Sequence, residues 1–332
     1  MNLPQWLRLL LWPLSVLYGD LGRLRVWFYE KGYLKPKRLN RPVISVGNLT
    51  VGGTGKTPMV IWLAEKFLAE GKRVAILSRG YKGSSGTSDE IQLMKFRLQN
   101  RVLFGVGPDR YAQGKKLESS VDLFLLDYGF QHLQLSRDVN ILLLDASQPL
   151  GRQFLLPAGP LREPLSAMRR ADILVLTRSE TSPQAASAIA KLQDYPVFSA
   201  STRLLGFRRL GSGIQTLRAE EIGAGPFYAF CGIGNPRAFF QDLKNWNLRV
   251  AVTSEFPDHH RYDQRDADEL QAAAKAGEAK AFLTTEKDAQ NLSSVTFNEF
   301  AVFAVVIDVE ISQQDAFLAA IWSQLEARSA VA

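Results

Sequence analysis

Val43-Ile44-Ser45-Val46-Gly47-Asn48-Leu49-Thr50-Val51-Gly52-Gly53-Thr54-Gly55-Lys56-Thr57 is the stretch that decides the fold. Val43 to Val46 are mostly β-branched and read as a buried strand; a glycine-rich turn follows, and from Thr57-Pro58 to about Leu68 apolar residues recur with a helical period. Strand, glycine turn and helix in that order make a phosphate-binding loop. Glycines let the backbone turn its N–H groups inward at a helix N-terminus, where they face phosphate oxygens. Thr50, Val51, Gly52, Gly53, Thr54, Gly55, Lys56 and Thr57 are therefore the nucleotide-binding candidates. Lys56 is expected to reach the β- and γ-phosphates, and Thr57 to offer its hydroxyl to Mg²⁺. The first glycine of the general pattern G-x-x-x-x-G-K-[ST] falls on Thr50, but the remaining positions keep the chemistry. The bland alternative is an ordinary glycine-rich strand-to-helix turn.

Working outward, the 332 residues suffice for two domains with separate cores, and a content of 46% hydrophobic and 22% charged residues is that of a globular protein. The single cysteine, Cys231, excludes an internal disulfide and reads as a small buried hydrophobe in the apolar strand Phe227 to Cys231. The net charge of +7 is unevenly placed: residues 1–41 carry eight basic groups against Asp20 and Glu30, a net +6.

That basic segment follows the apolar opening Leu3, Trp6, Leu7, Leu9, Leu10, Leu11, Trp12, Leu14, Val16, Leu17 and Tyr18. The run is shorter than the roughly 20 apolar residues a spanning helix needs, carries Arg8 and is broken by Pro13. A secretory signal is disfavoured, because the charges follow the apolar run instead of preceding it. The expectation is an interfacial helix with tryptophans at headgroup depth and a basic tail over anionic lipid. A helix packed on the protein's own core, or a basic arm for nucleic acid, are the alternatives.

Beyond the loop, Arg73 to Leu77 reads as a second strand ending in Ser78-Arg79-Gly80-Tyr81, and Lys82 to Ser88 as a flexible loop delivering Asp89-Glu90. A helix is expected from Asp109 to about Leu117. Val121 to Leu126 is a strand whose end, Asp127-Tyr128-Gly129-Phe130-Gln131-His132, has the Walker B form, a strand-tip carboxylate for Mg²⁺. Val139 to Leu144 and Ile173 to Leu176 read as buried parallel strands. Between them Leu156-Pro157-Ala158-Gly159-Pro160-Leu161-Arg162-Glu163-Pro164 demands a rigid loop and would bring Arg162-Glu163 to the sheet edge that holds the phosphate loop.

A composition shift over Ser199 to Glu221 marks a boundary, after which a second α/β pattern appears. Strands are expected near Phe227 to Cys231, Leu248 to Val252, Ala281 to Thr284 and Ala301 to Ile307, with helices near Pro236 to Trp246, Gln264 to Gly277 and Gln313 to Arg328. Two clusters here carry chemistry: Phe256-Pro257-Asp258-His259-His260-Arg261-Tyr262 and, at a strand end, Thr284-Thr285-Glu286-Lys287-Asp288. A metal site at the two histidines is disfavoured, since no cysteine lies near and His132 is far away in sequence.

The prediction is an α/β protein with a mostly parallel sheet of the P-loop NTPase type, a second, smaller α/β domain and an N-terminal membrane-associating helix. The expected division is 1–41 for the membrane-associating segment, 42–200 for the P-loop domain, 201–222 for a linker and 223–332 for the smaller domain.

Taken together, the segments Ser45 to Pro58, Ser78 to Tyr81, Gly129-Phe130-Gln131-His132 with Arg137-Asp138, Leu156 to Pro164, Gly232-Ile233-Gly234-Asn235-Pro236, Asp258-His259 and Thr284 to Asp288 resemble the tetraacyldisaccharide 4'-kinase (lipid A 4'-kinase) family. The resemblance implies transfer of the ATP γ-phosphoryl group to the 4'-hydroxyl of an acylated glucosamine disaccharide 1-phosphate, with ATP and Mg²⁺ as cofactors. It also implies peripheral attachment to an anionic inner-membrane surface on its cytoplasmic face. No nucleic-acid partner is expected, and the chain is expected to be a monomer.

In the family the base is an aspartate paired with the histidine of the Asp-His motif; the matching residues are Asp89 and His259, with Lys56 as the third catalytic candidate. Two consecutive aspartates precede the family's glycine, whereas this chain has Asp127-Tyr128. The metal candidates are therefore Thr57, Asp127, Gln131 and Glu163. A P-loop ATPase or switch that gates a partner, and a weakened homologue that only binds lipid, are the competing readings.

Overall fold

The computed structural model describes residues 4–80, 88–147, 154–190 and 194–329. In chain order the first elements are α1 (Gln5–Glu30), β1 (Val43–Asn48), α2 (Lys56–Ala69), β2 (Val74–Ser78), α3 (Asp89–Leu98), β3 (Leu103–Val106), α4 (Arg110–Leu117), β4 (Leu123–Asp127), β5 (Val139–Asp145) and β6 (Ile173–Thr177). There follow α5 (Pro183–Ala190), β7 (Val197–Arg209), β8 (Phe227–Cys231), α6 (Pro236–Asn245), β9 (Val250–Glu255), α7 (Gln264–Ala276), β10 (Ala281–Thr285), α8 (Glu286–Gln290), β11 (Ala301–Ile311) and α9 (Gln314–Ser329). The chain divides into two units. Among the described residues the larger holds 4–80, 98–201 and 309–329, and the smaller holds 88–97 and 202–308.

In the larger unit the strands run in the order β3-β2-β4-β1-β5-β6, followed by the start of β7. Their pairings are parallel, with Val46 opposite Asp127 on one side of β1 and Ile141 on the other. β1, β4 and β5 are buried along their whole length, as strands covered by helices on both faces must be. The chain turns from β1 outward through α2 to β2, yet from β4 it crosses β1 to reach β5. β1 thus ends at the point where strand order reverses, and open α/β sheets bind ligands outside the carboxyl ends of strands at such a point.

In the smaller unit the strand order is β11-β10-β8-β9, with parallel pairings. Alternate residues of β8 face opposite cores. Phe227, Ala229 and Cys231 pack with Phe239 and Leu243 of α6, whereas Tyr228 and Phe230 pack with Leu270 and Ala274 of α7. Cys231 is buried and free, and burial pushes its thiol far up from the ordinary range.

The α/β class and the mostly parallel sheet are as expected, but the boundaries differ. Residues 309–329 belong to the larger unit because α9 packs there, Phe317 against Trp62 and Phe198, and Trp322 against Phe67. Residues 88–97 belong to the smaller unit, where Arg97 pairs with Glu286 at 2.7 Å. The expected linker 201–222 is not one: it holds the second half of the 13-residue β7, whose Phe207 pairs with Leu217. Nor is 1–41 separate, since α1 is docked on the larger unit. Ser15 Oγ donates to the Leu155 carbonyl at 2.8 Å and accepts from the Ala158 N–H at 3.0 Å; Gly19 lies so close that a Cβ would stand 2.5 Å from Leu155 Cδ1.

α1 also runs through Pro13 without breaking. No described helix is long and apolar enough to cross a membrane. Yet most of the apolar surface of α1 is uncovered: Trp6 is 67% exposed, Leu9 69% and Leu10 68%, and the exposure continues through Trp12, Leu14, Leu17, Leu21 and Leu24. Tyr81 and the expected loop from Lys82 to Thr87 lie outside the described residues.

Candidate active site

Two constellations of functional groups are present, one in each unit. In the larger unit the loop from Leu49 to Gly55 leads from the end of β1 into α2. Gly55 takes a left-handed φ of 81° at the N-cap, which a side chain would oppose, and so delivers Lys56 and Thr57 at the first turn. Gly47 is needed for a different reason. The Phe130 backbone packs on it so closely that a Cβ would meet Phe130 Cβ at 2.5 Å. The proline loop braces the phosphate loop from the side: Val51 N–H donates to the Pro160 carbonyl and Arg162 N–H to the Leu49 carbonyl, both at 2.7 Å. This places Arg162 beside the loop, as its sequence context suggested.

At the tip of β4, Asp127 is fully buried. Ser78 Oγ donates to its Oδ2 at 3.3 Å, while Oδ1 has no hydrogen-bond partner among the described residues; nor has the buried Thr54 Oγ1. Burial pushes the Asp127 carboxyl up to about 6, against the pull of Lys56 and Arg110. Tyr128 follows with a left-handed φ of 52°, and its ring carries two cations: Lys56 Nζ lies 4.4 Å and Arg162 Cζ 5.6 Å from its centroid.

The other metal candidates already serve protein partners. Gln131 Nε2 donates to the Asn48 carbonyl at 2.9 Å, and Glu163 is ion-paired with Arg170, whose guanidinium lies over Phe130. Arg137 and Asp138 are structural: Arg137 donates to the Gly129 and Phe130 carbonyls, and Asp138 accepts from the Val43 N–H at the start of β1. Burial, with Arg110 and Arg137 nearby, pushes His132 down to about 4, so it is neutral near pH 7.

In the smaller unit α3 begins at Asp89, with Ser88 Oγ accepting from the Ile91 N–H at its N-terminus. His259 lies between β9 and α7 with a left-handed φ of 62°. A non-glycine residue held there is strained and must be fixed by its surroundings. The restraints are visible: His259 N–H donates to the Gly232 carbonyl at 3.1 Å, Gly232 N–H donates to Asp288 Oδ1 at 2.9 Å, and Tyr262 OH donates to the same oxygen at 3.0 Å. Gly232 leaves room for this, since a Cβ there would stand 2.9 Å from the Pro257 carbonyl oxygen.

Across 170 positions of sequence, His259 Nδ1 meets Asp89 Oδ2 at 2.9 Å and Oδ1 at 3.0 Å. Asp89 is the inner partner, its side chain 6% exposed, and His259 the outer one at 47%. Burial pushes the Asp89 carboxyl up, but hydrogen bonds with His259 and Glu90 and the charge of Lys287 outweigh it and hold the group well below the usual carboxylate range. Its hydrogen bond with Asp89 moves His259 the other way, upward, against burial and Lys287. Glu90 is raised by burial and by its bond with Asp89.

Asp89, Glu90 and His259 offer ligand-type atoms within 4.8 Å of one another, a spacing that suits a cation. Lys287 supplies one. Its Nζ lies 2.9 Å from Asp258 Oδ1, 3.5 Å from Asp89 Oδ2, 3.6 Å from Glu90 Oε1 and 3.4 Å from His259 Nε2. His260, by contrast, has its Nε2 2.9 Å from Asp266 and its ring against Phe256.

The structure thus joins Asp89 to His259, and Lys56 to Asp127 and Tyr128. Sequence reasoning gave no role to Glu90 or to Lys287, although Thr284 to Asp288 at a strand's carboxyl end was a signal for the latter. Arg110, buried beside Asp127, left no signal at all.

Comparison with known proteins adds the following. A family model described as Tetraacyldisaccharide-1-P 4'-kinase matches residues 7–326. A tetraacyldisaccharide 4'-kinase of Geobacter metallireducens is 40% identical over 322 residues, covering 91% of this chain and 94% of the relative. One from Syntrophobacter fumaroxidans is 42% identical over 287 residues, covering 79% and 74%. Among solved structures, LpxK from Aquifex aeolicus, described as an apo form in complex with ATP, matches with a TM-score of 0.76 at 34% identity, covering 96% of this chain and 99% of that one.

Proposed function

The chain belongs to the tetraacyldisaccharide-1-phosphate 4'-kinase family, and from that premise we propose how its residues divide the work of phosphorylating the 4'-hydroxyl of an acylated glucosamine disaccharide 1-phosphate, a step of lipid A biosynthesis. The observation that carries the reading is the Asp89–His259 pair at 2.9 Å. An ATPase or switch needs a phosphate loop but no acceptor-side base, and a lipid-binding homologue needs neither.

The loop fits a nucleoside triphosphate with Mg²⁺. Its N–H groups and Lys56 meet the phosphates, the orphaned oxygen of Asp127 and the hydroxyl of Thr57 would hold the metal, and the unpartnered Thr54 Oγ1 is a further polar group on the loop. Bound Mg²⁺·ATP supplies the phosphoryl group and neutralises charge on it. Gln131 and Glu163 support this wall through Asn48 and Arg170. Lys56 stabilises charge on the transferring group. Where the resemblance implies an aspartate base, we assign proton removal to His259: with Nδ1–H donated to Asp89 it keeps a lone pair on Nε2 and takes the proton of the acceptor hydroxyl there, and Asp89, held ionised, stabilises the imidazolium that results.

The test is label transfer from γ-labelled ATP to tetraacyldisaccharide 1-phosphate in detergent. Label is expected in the lipid, and His259→Gln should slow transfer by about 10²- to 10⁴-fold with little change in ATP affinity. Label released only as free phosphate would support the ATPase reading, and an unchanged rate in the variant would remove His259 from the mechanism.

The uncovered apolar residues of α1 and the net +6 of residues 1–41 support peripheral attachment to an anionic membrane surface; the cytoplasmic face of the inner membrane is the surface that the family reading suggests. Each large apolar side chain buried contributes about 1.5–3 kcal/mol. Leu9→Ser with Leu10→Ser should therefore weaken binding to anionic vesicles by at least about tenfold in a flotation assay; unaltered binding would place the anchor elsewhere.

A further inference from the structure

We infer that Lys287 is a positioning residue of the transfer site: its ammonium gathers Asp89, Glu90 and Asp258 and fixes His259 in the tautomer that leaves Nε2 unprotonated. The inference rests on the reading of His259 as base, and it concerns what keeps that base usable.

The charges around the imidazole pose the problem. Nδ1 faces Asp89, which favours a proton there. Nε2, the atom that must stay unprotonated, has Glu90 Oε1 and Asp258 Oδ2 each at 3.7 Å. Three carboxylates about one histidine would draw a second proton onto the ring and leave an imidazolium, which cannot act as a base. Lys287 answers this from two directions. Its Nζ is nearer to Nε2, at 3.4 Å, than either of those carboxylates is, and a positive charge facing Nε2 opposes protonation there. It also bonds Asp258 at 2.9 Å and lies 3.6 Å from Glu90, so the two carboxylates nearest Nε2 are balanced by a cation already in place.

The lysine is held for this task. Its side chain is only 18% exposed, and it sits between two residues with fixed bonds. Glu286 pairs with Arg97 at the far end of α3, the helix whose first turn carries Asp89 and Glu90. Asp288 accepts from Gly232 and Tyr262, the restraints behind His259. One tripeptide at the end of β10 thus grips both halves of the acid–base pair. The charged groups facing Lys287 are Asp89 and Glu90 from α3, Asp258 and His259 from the segment after β9, and Asp288 beside it. Glu90, Asp89 and Asp258 raise its own ammonium against the effect of burial, so it stays charged throughout the working range.

The experiment uses the full chain with ¹⁵N-histidine labelling. Only three histidines are present, His132, His259 and His260, so single substitutions assign their ring signals. In the unsubstituted protein, titrated from acid to alkaline pH, Nε2 of His259 should reach the shift of an unprotonated nitrogen only above a midpoint raised from the ordinary histidine value. In Lys287→Met the ring should protonate at a pH higher by about one unit, as loss of one cation at this range implies. The acidic limb of the pH–rate profile for lipid phosphorylation should move up by the same amount, costing about tenfold on that limb and recovering at higher pH. Lys287→Arg, which keeps the charge, should restore both. If Lys287→Met does not fold, by its melting curve, Lys287→Gln takes its place in both measurements. An unchanged His259 titration and a superimposable pH–rate profile in the neutral variant would overturn the inference. Should His259→Gln itself leave transfer unaffected, it is the base reading that fails; slow transfer there with no titration change in Lys287→Met fails the role of Lys287 alone.

Discussion

The phosphate loop of the larger unit and the Asp89–His259–Lys287 cluster of the smaller one are built by opposite means. The loop is a local object. Seven consecutive residues, Leu49 to Gly55, follow one strand and precede one helix, and the ligands proposed for it are mainly backbone N–H groups that any sequence with the right glycines would present. The cluster is made of side chains drawn from α3, the segment after β9 and the start of α8, with 170 positions between its two central partners. A backbone site is insensitive to most of its side chains and depends heavily on one or two. A side-chain site distributes its geometry over a network, so that charge balance, and not a single donor, decides whether it works.

The largest expected effect tests the first half of that contrast. In the proposed mechanism Lys56 brings a full positive charge to the transferring phosphoryl group, and it is almost wholly buried. Lys56→Ala should lower kcat by about 10³-fold, the order seen when one preorganised charge-stabilising group is removed. ATP affinity measured by calorimetry should fall far less, since the N–H groups remain. Equal losses in kcat and in affinity would show that the backbone does not carry binding on its own.

The same contrast explains what was legible in the sequence. The loop could be read because its residues are contiguous: the helix expected from about Thr57 to Leu68 is Lys56–Ala69, and the carboxylate expected at a strand tip is Asp127 at the end of β4. Asp89 and His259 were named only through a family resemblance, because nothing in the spacing of two residues so far apart says that they touch. The helix that Asp89 opens was not expected, although Ile91, Met94 and Leu98, all buried, recur at helical spacing.

β7 was hidden by its composition. Gly206, Gly211, Gly213 and several arginines resemble a linker, yet Gly206 is there because the Leu217 carbonyl would stand 2.4 Å from a Cβ. Pro13 misled for a similar reason: a proline costs a helix one hydrogen bond, but α1, docked through Ser15 and Gly19, continues past it to Glu30.

The smallest expected effect concerns Tyr128, where a side chain reaches into the backbone-built site. Its ring holds Lys56 on one contact and Arg162 on another, and its left-handed φ fixes the direction in which the ring points. A cation over a partly desolvated aromatic face gains about 0.5–2 kcal/mol. If that attraction preorganises Lys56 for the phosphates, Tyr128→Leu should raise the Kd for Mg·ATP about two- to thirtyfold, while the melting temperature hardly changes. Tyr128→Phe keeps the ring and should bind as the unsubstituted chain does. The pair of variants separates the π face from the hydroxyl, which a simple packing role would not do. Equal weakening by both would assign the effect to the phenol oxygen. No weakening in either would show that the ammonium of Lys56 is positioned by other groups, such as Asp127, with which it interacts electrostatically.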